Sequence, residues 1–160
     1  MGGIGSPAGE QTRVMIYDPA DDSWDVGAHM PVPSEHLAVS AASGRIYAIS
    51  GRFGSGITEV QAYDPGTDSW ELQAPIPTAR SRITAQTWMG RIFVFGGELP
   101  GVFDENEVFD PVADAWETAP PMTTARHGLA SGIVDGKIYV IGGGTVAGLR
   151  ATDAVEEYVP

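Results

Sequence analysis

The sequence predicts an all-β protein built from a repeated four-stranded antiparallel sheet. Nearly the same hexapeptide occurs three times at a step of 46 residues: IYAISG at 46–51, IFVFGG at 92–97 and IYVIGG at 138–143. Glycine (21 residues) and proline (12 residues) make up about a fifth of the 160 residues, which favours many turns over long helices. Since no stretch of ten or more residues shows a helical period of apolar positions, we expect strands throughout.

Other residue types keep the same 46-residue step. An aromatic residue followed by Asp-Pro occurs at 17–19, 63–65 and 109–111. A tryptophan follows each of these motifs at a constant distance: Trp24, Trp70 and Trp116. A degraded further copy reads VEEYVP at 155–160. A single copy cannot shield its own apolar faces from water, so we expect equivalent copies to pack side by side.

The middle copy illustrates the four strands of a repeat. TEVQAY (58–63) alternates in polarity and is interpreted as the third strand, and WELQA (70–74) as the fourth. Asp-Pro begins the turn between them, because Asp accepts backbone N–H groups and Pro fixes φ. ITAQTW (83–88) and RIFVFGG (91–97) are predicted to be the first and second strands of the next sheet, joined by a Met-Gly hairpin turn. The second is almost wholly apolar, as a strand buried on both faces should be.

The paired glycines, the aromatic-Asp-Pro motif and the spaced tryptophan together resemble the kelch repeat over nearly the whole chain. The resemblance implies kelch-type β-propeller blades: three repeats of four-stranded antiparallel sheets with half-blades at both termini. We expect one kelch-repeat array over 1–160, divided into a partial blade (1–35), a blade (36–73), a blade (82–118) and a partial blade (128–160). The three spaced tryptophans are expected to wedge between the outer parts of adjacent blades.

Composition excludes several classes of function. A net charge of −12 disfavours binding to nucleic acid and to anionic membrane surfaces, and no apolar run approaches 18 residues. The absence of cysteine excludes disulfides and thiolate metal sites. Three scattered histidines (His29, His36 and His127) lack metal-ligand spacing, so we expect no metal, no cofactor and no assigned catalytic residue. MGGIGSPAGE does not resemble a signal peptide, and the compartment stays open.

Strand order places the loops between blades and the loops after the Gly pairs on one side of the array, which we call the loop rim. The tight turns lie on the other side and carry mostly aspartates. The loop rim gathers most of the arginines together with two histidines: Arg52, Arg80, Arg82, Arg126, Arg150, His36 and His127. Its acidic residues are Glu35, Glu98 and Asp104. Because guanidinium groups match carboxylates, the loop rim is predicted to bind an acidic ligand, either a peptide or an acidic sugar.

The resemblance also implies that arginines of the inter-blade loops line the pocket in kelch domains that bind peptides. Arg82 fits that position best, and Arg80 and Arg126 share the position before it within TARSRI and TARHGL. The candidate ligand-binding set is Glu35, His36, Arg52, Arg80, Arg82, Arg126 and His127. The alternative for the three inter-blade arginines is a structural role, in which they satisfy loop carbonyls or pair with an acid of a neighbouring blade.

Three functions are consistent with these patterns. The first is a protein-binding or ligand-binding module, and the second is a sugar-active enzyme similar to sialic-acid mutarotases that uses Arg, Glu and His of the loop rim. Copper-radical chemistry like that of galactose oxidase needs a cysteine and is excluded. The third is an assembly element, because three repeats do not close a ring. Either the chain is part of a longer propeller, or two chains form a six-bladed homodimer in which 13–17 or 152–158 is displaced.

Overall fold

The computed structural model describes residues 2–5, 9–10 and 12–160, and all regular elements in this part of the chain are β-strands. The N-terminal half-blade contains β1 (Ile4–Gly5), β2 (Gly9–Glu10), β3 (Val14–Asp18) and β4 (Ser23–Gly27). Strands β1 and β2 form a short hairpin, and β3 and β4 form a second antiparallel hairpin. In the repeat, β3 and β4 correspond to a third and a fourth strand.

Two complete four-stranded antiparallel sheets follow. The first blade contains β5 (Ala38–Ala42), β6 (Arg45–Ile49), β7 (Arg52–Phe53), β8 (Ser55–Gly56), β9 (Val60–Asp64) and β10 (Ser69–Gln73). Its strand order is β5-β6-β9-β10, and β7 and β8 form a small hairpin in the loop after the second strand. The second blade contains β11 (Thr84–Trp88), β12 (Arg91–Phe95), β13 (Asn106–Asp110) and β14 (Ala115–Ala119), in the order β11-β12-β13-β14.

A partial blade ends the array. It contains β15 (Ala130–Val134), β16 (Lys137–Ile141), β17 (Gly144–Val146), β18 (Leu149–Ala151) and β19 (Val155–Tyr158). The sheet order is β15-β16-β19, so the position of a fourth strand beside β19 is empty among the described residues. The prediction of an all-β fold made of kelch-type blades is confirmed, and the array of described residues does not close into a ring.

The hydrophobic core lies between blades rather than within one of them. The recurring apolar strand supplies its centre, since Ile49 of β6 and Val94 of β12 are fully buried. Tyr47 of the first blade meets Phe109 of the second edge to face, with ring centroids 5.7 Å apart. Each such large side chain stabilises the fold by about 1.5–3 kcal/mol through burial alone. The repeated hexapeptide is therefore explained by repeated burial between neighbouring sheets.

Two of the three spaced tryptophans are wedges between blades. The indole Nε1 of Trp70 donates a hydrogen bond of 2.9 Å to the carbonyl of Ala28, and Trp116 donates in the same way to Ala74 at 2.9 Å. Each indole therefore joins its own fourth strand to the end of the preceding fourth strand. Trp24 differs, because 62% of its surface is exposed. The expectation of a wedge is confirmed for Trp70 and Trp116, whereas Trp24 is not a wedge within the single chain because no described blade precedes it.

The turn after the third strand uses an aspartate to join blades. The carboxylate of Asp68 accepts hydrogen bonds from the Ala28 amide and the Tyr63 hydroxyl, each at 2.7 Å. These two bonds lower the pKa of Asp68, with the backbone amide as the larger cause. The same contact to Asp68 raises the pKa of Tyr63 to about 12.

This turn predicts a loss of stability in acid. Because the pKa of Asp68 is lower in the folded chain than in the unfolded chain, its contribution is present above about pH 4 and is lost as the pH falls through the lowered value. We expect the free energy of unfolding to decrease on acidification, and Asp68→Asn to flatten that dependence. Urea unfolding at a series of pH values measures it, with Asp21→Asn in the exposed turn of the half-blade as the control. An unchanged slope in Asp68→Asn would contradict the assignment.

Candidate functional site

The loop rim lies at the end of the first strands, which are neighbours around the axis of the array. Hydroxyl groups join these strands directly: Ser40 of β5 contacts Thr87 of β11 at 2.7 Å, and Thr84 of β11 contacts Ser131 of β15 at 2.6 Å. In each repeat, the loop before the first strand pairs with the loop after the second strand through one isolated bridge. The three bridges are Glu35 with Arg52, Ser81 with Glu98, and His127 with Gly144.

Backbone hydrogen bonds also link one inter-blade loop to the next. The amide of Arg82 donates to the carbonyl of His36 at 2.8 Å, and the amide of Gly128 donates to the carbonyl of Arg82 at 2.7 Å. All three residues have a positive φ (53°, 53° and 61° for His36, Arg82 and Gly128). This left-handed conformation costs roughly 1–2 kcal/mol at a non-glycine residue, which the bonds between loops offset. The loop rim is therefore a continuous hydrogen-bonded surface across three blades.

The paired glycines allow the two loops of each repeat to approach. A Cβ on Gly97, which has φ +126°, would lie 2.7 Å from Ile83 Cγ2 and 2.9 Å from the carbonyl oxygen of Ser81. A Cβ on Gly51 would lie 2.3 Å from Ser34 Oγ. All three distances are shorter than a Cβ atom tolerates. Glycine at the second position of this Gly-Gly or Ser-Gly pair is therefore required for the close contact that positions the charged side chains of the loop rim.

Arg80 lies inside the second blade, with none of its surface exposed. Its Nε donates to the carbonyl of Gly96 at 2.7 Å and its Nη2 to the carbonyl of Val94 at 3.2 Å. Its Nη1 forms a buried ion pair with Glu107 of β13. Arg80 thus connects the inter-blade loop to the second and third strands of its own blade.

Arg126 repeats this arrangement in the C-terminal partial blade and is equally buried. Its guanidinium donates to the carbonyl oxygens of Gly142 (2.7 Å) and Ala154 (3.1 Å), and it contacts Glu156 of β19 at 3.2 Å. Neither Arg80 nor Arg126 reaches the surface of the loop rim. The structure therefore places these two candidates in the structural role that the sequence left open, and we do not include them in the ligand-binding surface proposed below.

The first blade has a neutral version of the same pair. Ser34 stands where Arg80 and Arg126 stand, and Gln61 stands where Glu107 stands. Gln61 bonds to the loop directly, accepting from the Val32 amide at 2.8 Å and donating to the Val32 carbonyl at 3.0 Å. Arginine thus occurs together with glutamate, and serine with glutamine. This internal pairing is a further sign that the position is structural.

The remaining candidates form two charged clusters on the loop rim. In the first cluster, the buried carboxylate of Glu35 forms an ion pair with Arg52 and lies 3.2 Å from Nδ1 of His36. In the second cluster, Arg82 Nε lies 3.0 Å from Glu98 Oε1, a distance within ion-pair range but without the alignment of a hydrogen bond. The structure therefore brings together Glu35, His36 and Arg52, and separately Arg82 and His127.

Glu98 joins Arg82 to His127. Glu98 Oε2 lies 3.3 Å from His127 Nδ1 and accepts a hydrogen bond of 2.9 Å from the Gly148 amide. Glu98 and His127 are only 3% and 6% exposed. From the sequence, Glu98 is predicted to lie on the loop rim, but it is not among the candidate ligand-binding residues. The repeat register could have identified Glu98 as a candidate. Glu98 lies 46 residues after Arg52, at the same position of the repeat. Arg52 pairs with Glu35, whereas Glu98 pairs with Arg82.

Two surface cavities lie beside these clusters. One of about 320 Å³ is lined by His127, Gly128, Gly143, Gly144, Gly148, Arg150 and Ala151. Another of about 380 Å³ lies between the Gly54–Gly56 and Leu99–Pro100 segments and is mainly apolar. No group of three or more His, Asp or Glu residues with metal-binding geometry occurs within the described ranges. In the same part of the chain, no helix is long and apolar enough to cross a membrane.

Comparison with known families agrees with this architecture. The model of the kelch motif matches residues 79–123 and 125–160, about half of the chain. The matched stretches contain the second blade and the C-terminal partial blade, together with Arg82, Glu98 and His127. A search of curated proteins finds no match to the chain. With the blade architecture and the family match in agreement, the chain belongs to the kelch-motif family.

Proposed function

We propose that this chain is a protein-binding module whose loop rim recognises an acidic peptide segment. Kelch repeats generally mediate protein binding within a β-propeller. The observation that carries the proposal is the concentration of Arg52, Arg82 and Arg150 on one side of a chain whose net charge is −12. Although Glu35 and Glu98 offset the charges of Arg52 and Arg82, the guanidinium groups gathered there can donate hydrogen bonds to the carboxylates of an acidic segment.

The arginines of the loop rim keep surface available for a ligand. The side chains of Arg52 and Arg82 are 24% and 29% exposed, although each contacts a glutamate. Arg82 reaches Glu98 only through Nε, and its contact there is not an aligned hydrogen bond. A guanidinium has five N–H donors, so a carboxylate of the ligand can bind the outer edge in a bidentate manner.

The apolar cavity supports a peptide over a sugar. It lies between the loops of the first and second blades. Its walls include Ala79, Leu99 and Pro100. A peptide can place a bulky apolar side chain there while its carboxylates contact Arg52 and Arg82. We therefore propose that the recognised segment combines acidic residues with one large apolar residue.

Screening of peptide and glycan arrays, followed by affinity measurement of the hits, tests this proposal. We expect acidic peptides to bind and Arg82→Ala to weaken binding at least about ten-fold, because a charge-assisted hydrogen bond contributes roughly 1.5–3 kcal/mol. Arg91→Ala is the control, since Arg91 also pairs with a glutamate, the exposed Glu117, but lies on the tight-turn side. Equal effects of the two variants on every hit would reject the loop rim as the binding surface, and hits confined to acidic glycans would reject a peptide ligand.

The open ends of the array are a second interaction surface, for which we propose another copy of this chain. Trp24 at the N-terminal end is 62% exposed, whereas its counterpart Trp70 is partly buried. Ile141 at the C-terminal end is 46% exposed, whereas its counterpart Phe95 is 1% exposed. Residues that the repeat buries between blades are thus uncovered at both ends, as expected for a contact that joins head to tail.

The two ends have complementary features. Trp70 packs on Tyr63 and Trp116 packs on Phe109, with ring centroids 5.1 and 5.0 Å apart, while each indole donates to the preceding blade. At the C-terminal end, Pro120 and Tyr158 occupy the corresponding positions and line a cavity. We propose that the exposed Trp24 of a second copy packs against Pro120 and Tyr158 there. Its β4 would then take the fourth-strand position beside β19 and complete a ring of six blades.

In this arrangement, β3 of the second copy and β19 would compete for the same third-strand position, so one of them must be displaced. Arg126 favours the retention of β19. The buried guanidinium of Arg126 pairs with Glu156 of β19, whereas β3 has Met15 at the equivalent position. Replacement of β19 by β3 would leave a buried charge without its carboxylate, which costs several kcal/mol. The segment 13–17 is therefore proposed to leave the sheet on assembly.

The molecular mass in solution tests whether a second copy of the chain binds the open ends of the array. We expect a dimer of twice 16.8 kDa, and Trp24→Ala should shift it to the monomer. Met89→Ala is the control, because Met89 is exposed in a tight turn away from both ends. A folded monomer at all concentrations would contradict this proposal without affecting the peptide-binding proposal.

A further inference from the structure

Glu98 is held by groups from three separate loops. Arg82 belongs to the loop between the first and second blades, His127 to the loop between the second blade and the partial blade, and Gly148 to the turn between β17 and β18. The contacts are 3.0 Å to Arg82 Nε, 3.3 Å to His127 Nδ1 and 2.9 Å to the Gly148 amide. The amide donates a hydrogen bond, whereas Arg82 Nε and His127 Nδ1 lie within ion-pair distance without hydrogen-bond alignment. A guanidinium, an imidazole and a backbone N–H around one carboxylate resemble a binding site for an anionic group.

This cluster differs from the structural ion pairs of the fold, because those pairs recur with the repeat. Arg80 with Glu107 is matched by Arg126 with Glu156, and Arg45 with Glu71 is matched by Arg91 with Glu117. The residues at the position of Glu98 in the other repeats are Arg52 and Gly144. Blade packing therefore does not require a carboxylate at residue 98.

The surroundings of Glu98 are accessible from solvent. The cavity of about 320 Å³ beside it is lined by His127, Gly148 and Arg150, so two of the three groups that hold the carboxylate also form the wall of an open space. The ring of His127 is fixed from its other side, because Nε2 contacts the carbonyl of Val146 at 3.0 Å. Because the carbonyl can only accept, Nε2 carries the N–H, and Nδ1 can donate to the carboxylate only in the imidazolium form; its 3.3 Å contact here lacks the alignment of a hydrogen bond.

We propose that Arg82, His127 and the Gly148 amide form a carboxylate-binding site that Glu98 fills in the free protein and that an external carboxylate takes when Glu98 is displaced. The ligand class is a carboxylate, supplied by an acidic side chain or a chain terminus of the bound segment. The bound segment is the acidic peptide of the proposed function, so this inference rests on that function. Glu98 then acts as an internal competitor, which lowers the affinity of the loop rim for weakly acidic partners.

Acetate is the probe that tests the site without any partner protein. Glu98→Ala removes the internal carboxylate, so we expect acetate at about 0.2 M to raise the thermal midpoint of this variant by roughly 5 °C relative to chloride at equal ionic strength. The wild-type chain should show no acetate-specific rise. Glu117→Ala removes an exposed carboxylate that pairs with Arg91 and is the matched control. The double variant Glu98→Ala with Arg82→Ala should lose the response.

Equal acetate responses in Glu98→Ala and Glu117→Ala would overturn the proposal. Glu98→Gln provides a second test if the alanine variant does not fold, because it keeps the size of the side chain and weakens its attraction to Arg82. In that variant, acetate should shift the amide resonance of Gly148 at concentrations at least ten times lower than in the wild type. Equal concentration dependence would overturn the proposal. Binding of peptides to the loop rim without any acetate response would reject this site alone, whereas an acetate response without peptide binding would reject the proposed function alone.

Discussion

Arg80→Ser is expected to destabilise the chain by about 3–5 kcal/mol. Arg80 is completely buried, and its removal leaves the buried carboxylate of Glu107 without a cation. It also removes hydrogen bonds to the carbonyl oxygens of Gly96 and Val94. Urea unfolding measures the loss. Arg91→Ser is the matched control and should cost less than about 1 kcal/mol, because the pair of Arg91 with Glu117 is exposed.

The first blade shows how this loss can be reduced. Ser34 and Gln61 occupy the two positions there, and the Gln61 amide bonds to both backbone groups of Val32. Thr78 is the counterpart of Val32 in the second blade and already donates to Glu107 at 2.8 Å. The double variant Arg80→Ser with Glu107→Gln should therefore be more stable than Arg80→Ser alone. A double variant that is less stable would show that the two pairs are not interchangeable.

Trp116→Ala is expected to cost about 3–5 kcal/mol, since it empties the space between the outer parts of the first and second blades. Trp116→Phe should cost less, because it keeps an aromatic ring against Phe109 and loses the hydrogen bond to the carbonyl of Ala74 together with only part of the buried ring area. Denaturant unfolding of both variants measures the difference. If the phenylalanine variant lost as much stability as the alanine variant, the hydrogen bond rather than the bulk of the ring would dominate.

The strands were predictable because their signals are local. ITAQTW was assigned to 83–88 and RIFVFGG to 91–97, and the structure has β11 at Thr84–Trp88 and β12 at Arg91–Phe95. Met89 and Gly90 both have a positive φ (46° and 81°), as the predicted two-residue turn requires. The polarity pattern, the turn residues and the repeat all predict the same two strands here. The strands could therefore be assigned without knowledge of which side chains are buried.

The separation of Arg80 from Arg82 was not predictable in the same way. Both lie in one short loop, and only the left-handed conformation at Arg82 and the tertiary contacts direct one side chain into the blade and the other to the rim. The partner of Arg80 is Glu107, which is 27 residues away in sequence. Ser34 and Gln61 occupy the repeat positions of Arg80 and Glu107. Comparison of these two pairs of positions would have predicted that Arg80 pairs with Glu107. The exposure of Trp24 likewise depends on a neighbouring blade and not on its own sequence context.

The contact between indole groups and the preceding blade tests side-by-side stacking most directly. Stacking predicts nuclear Overhauser effects from the Hε1 proton of Trp70 to Ala28 and from that of Trp116 to Ala74, across 42 residues of sequence in both cases. It also predicts slow hydrogen exchange at both indole N–H groups. A folded, strand-rich chain in which both contacts are missing and both indole protons exchange rapidly would contradict the stacking of equivalent sheets.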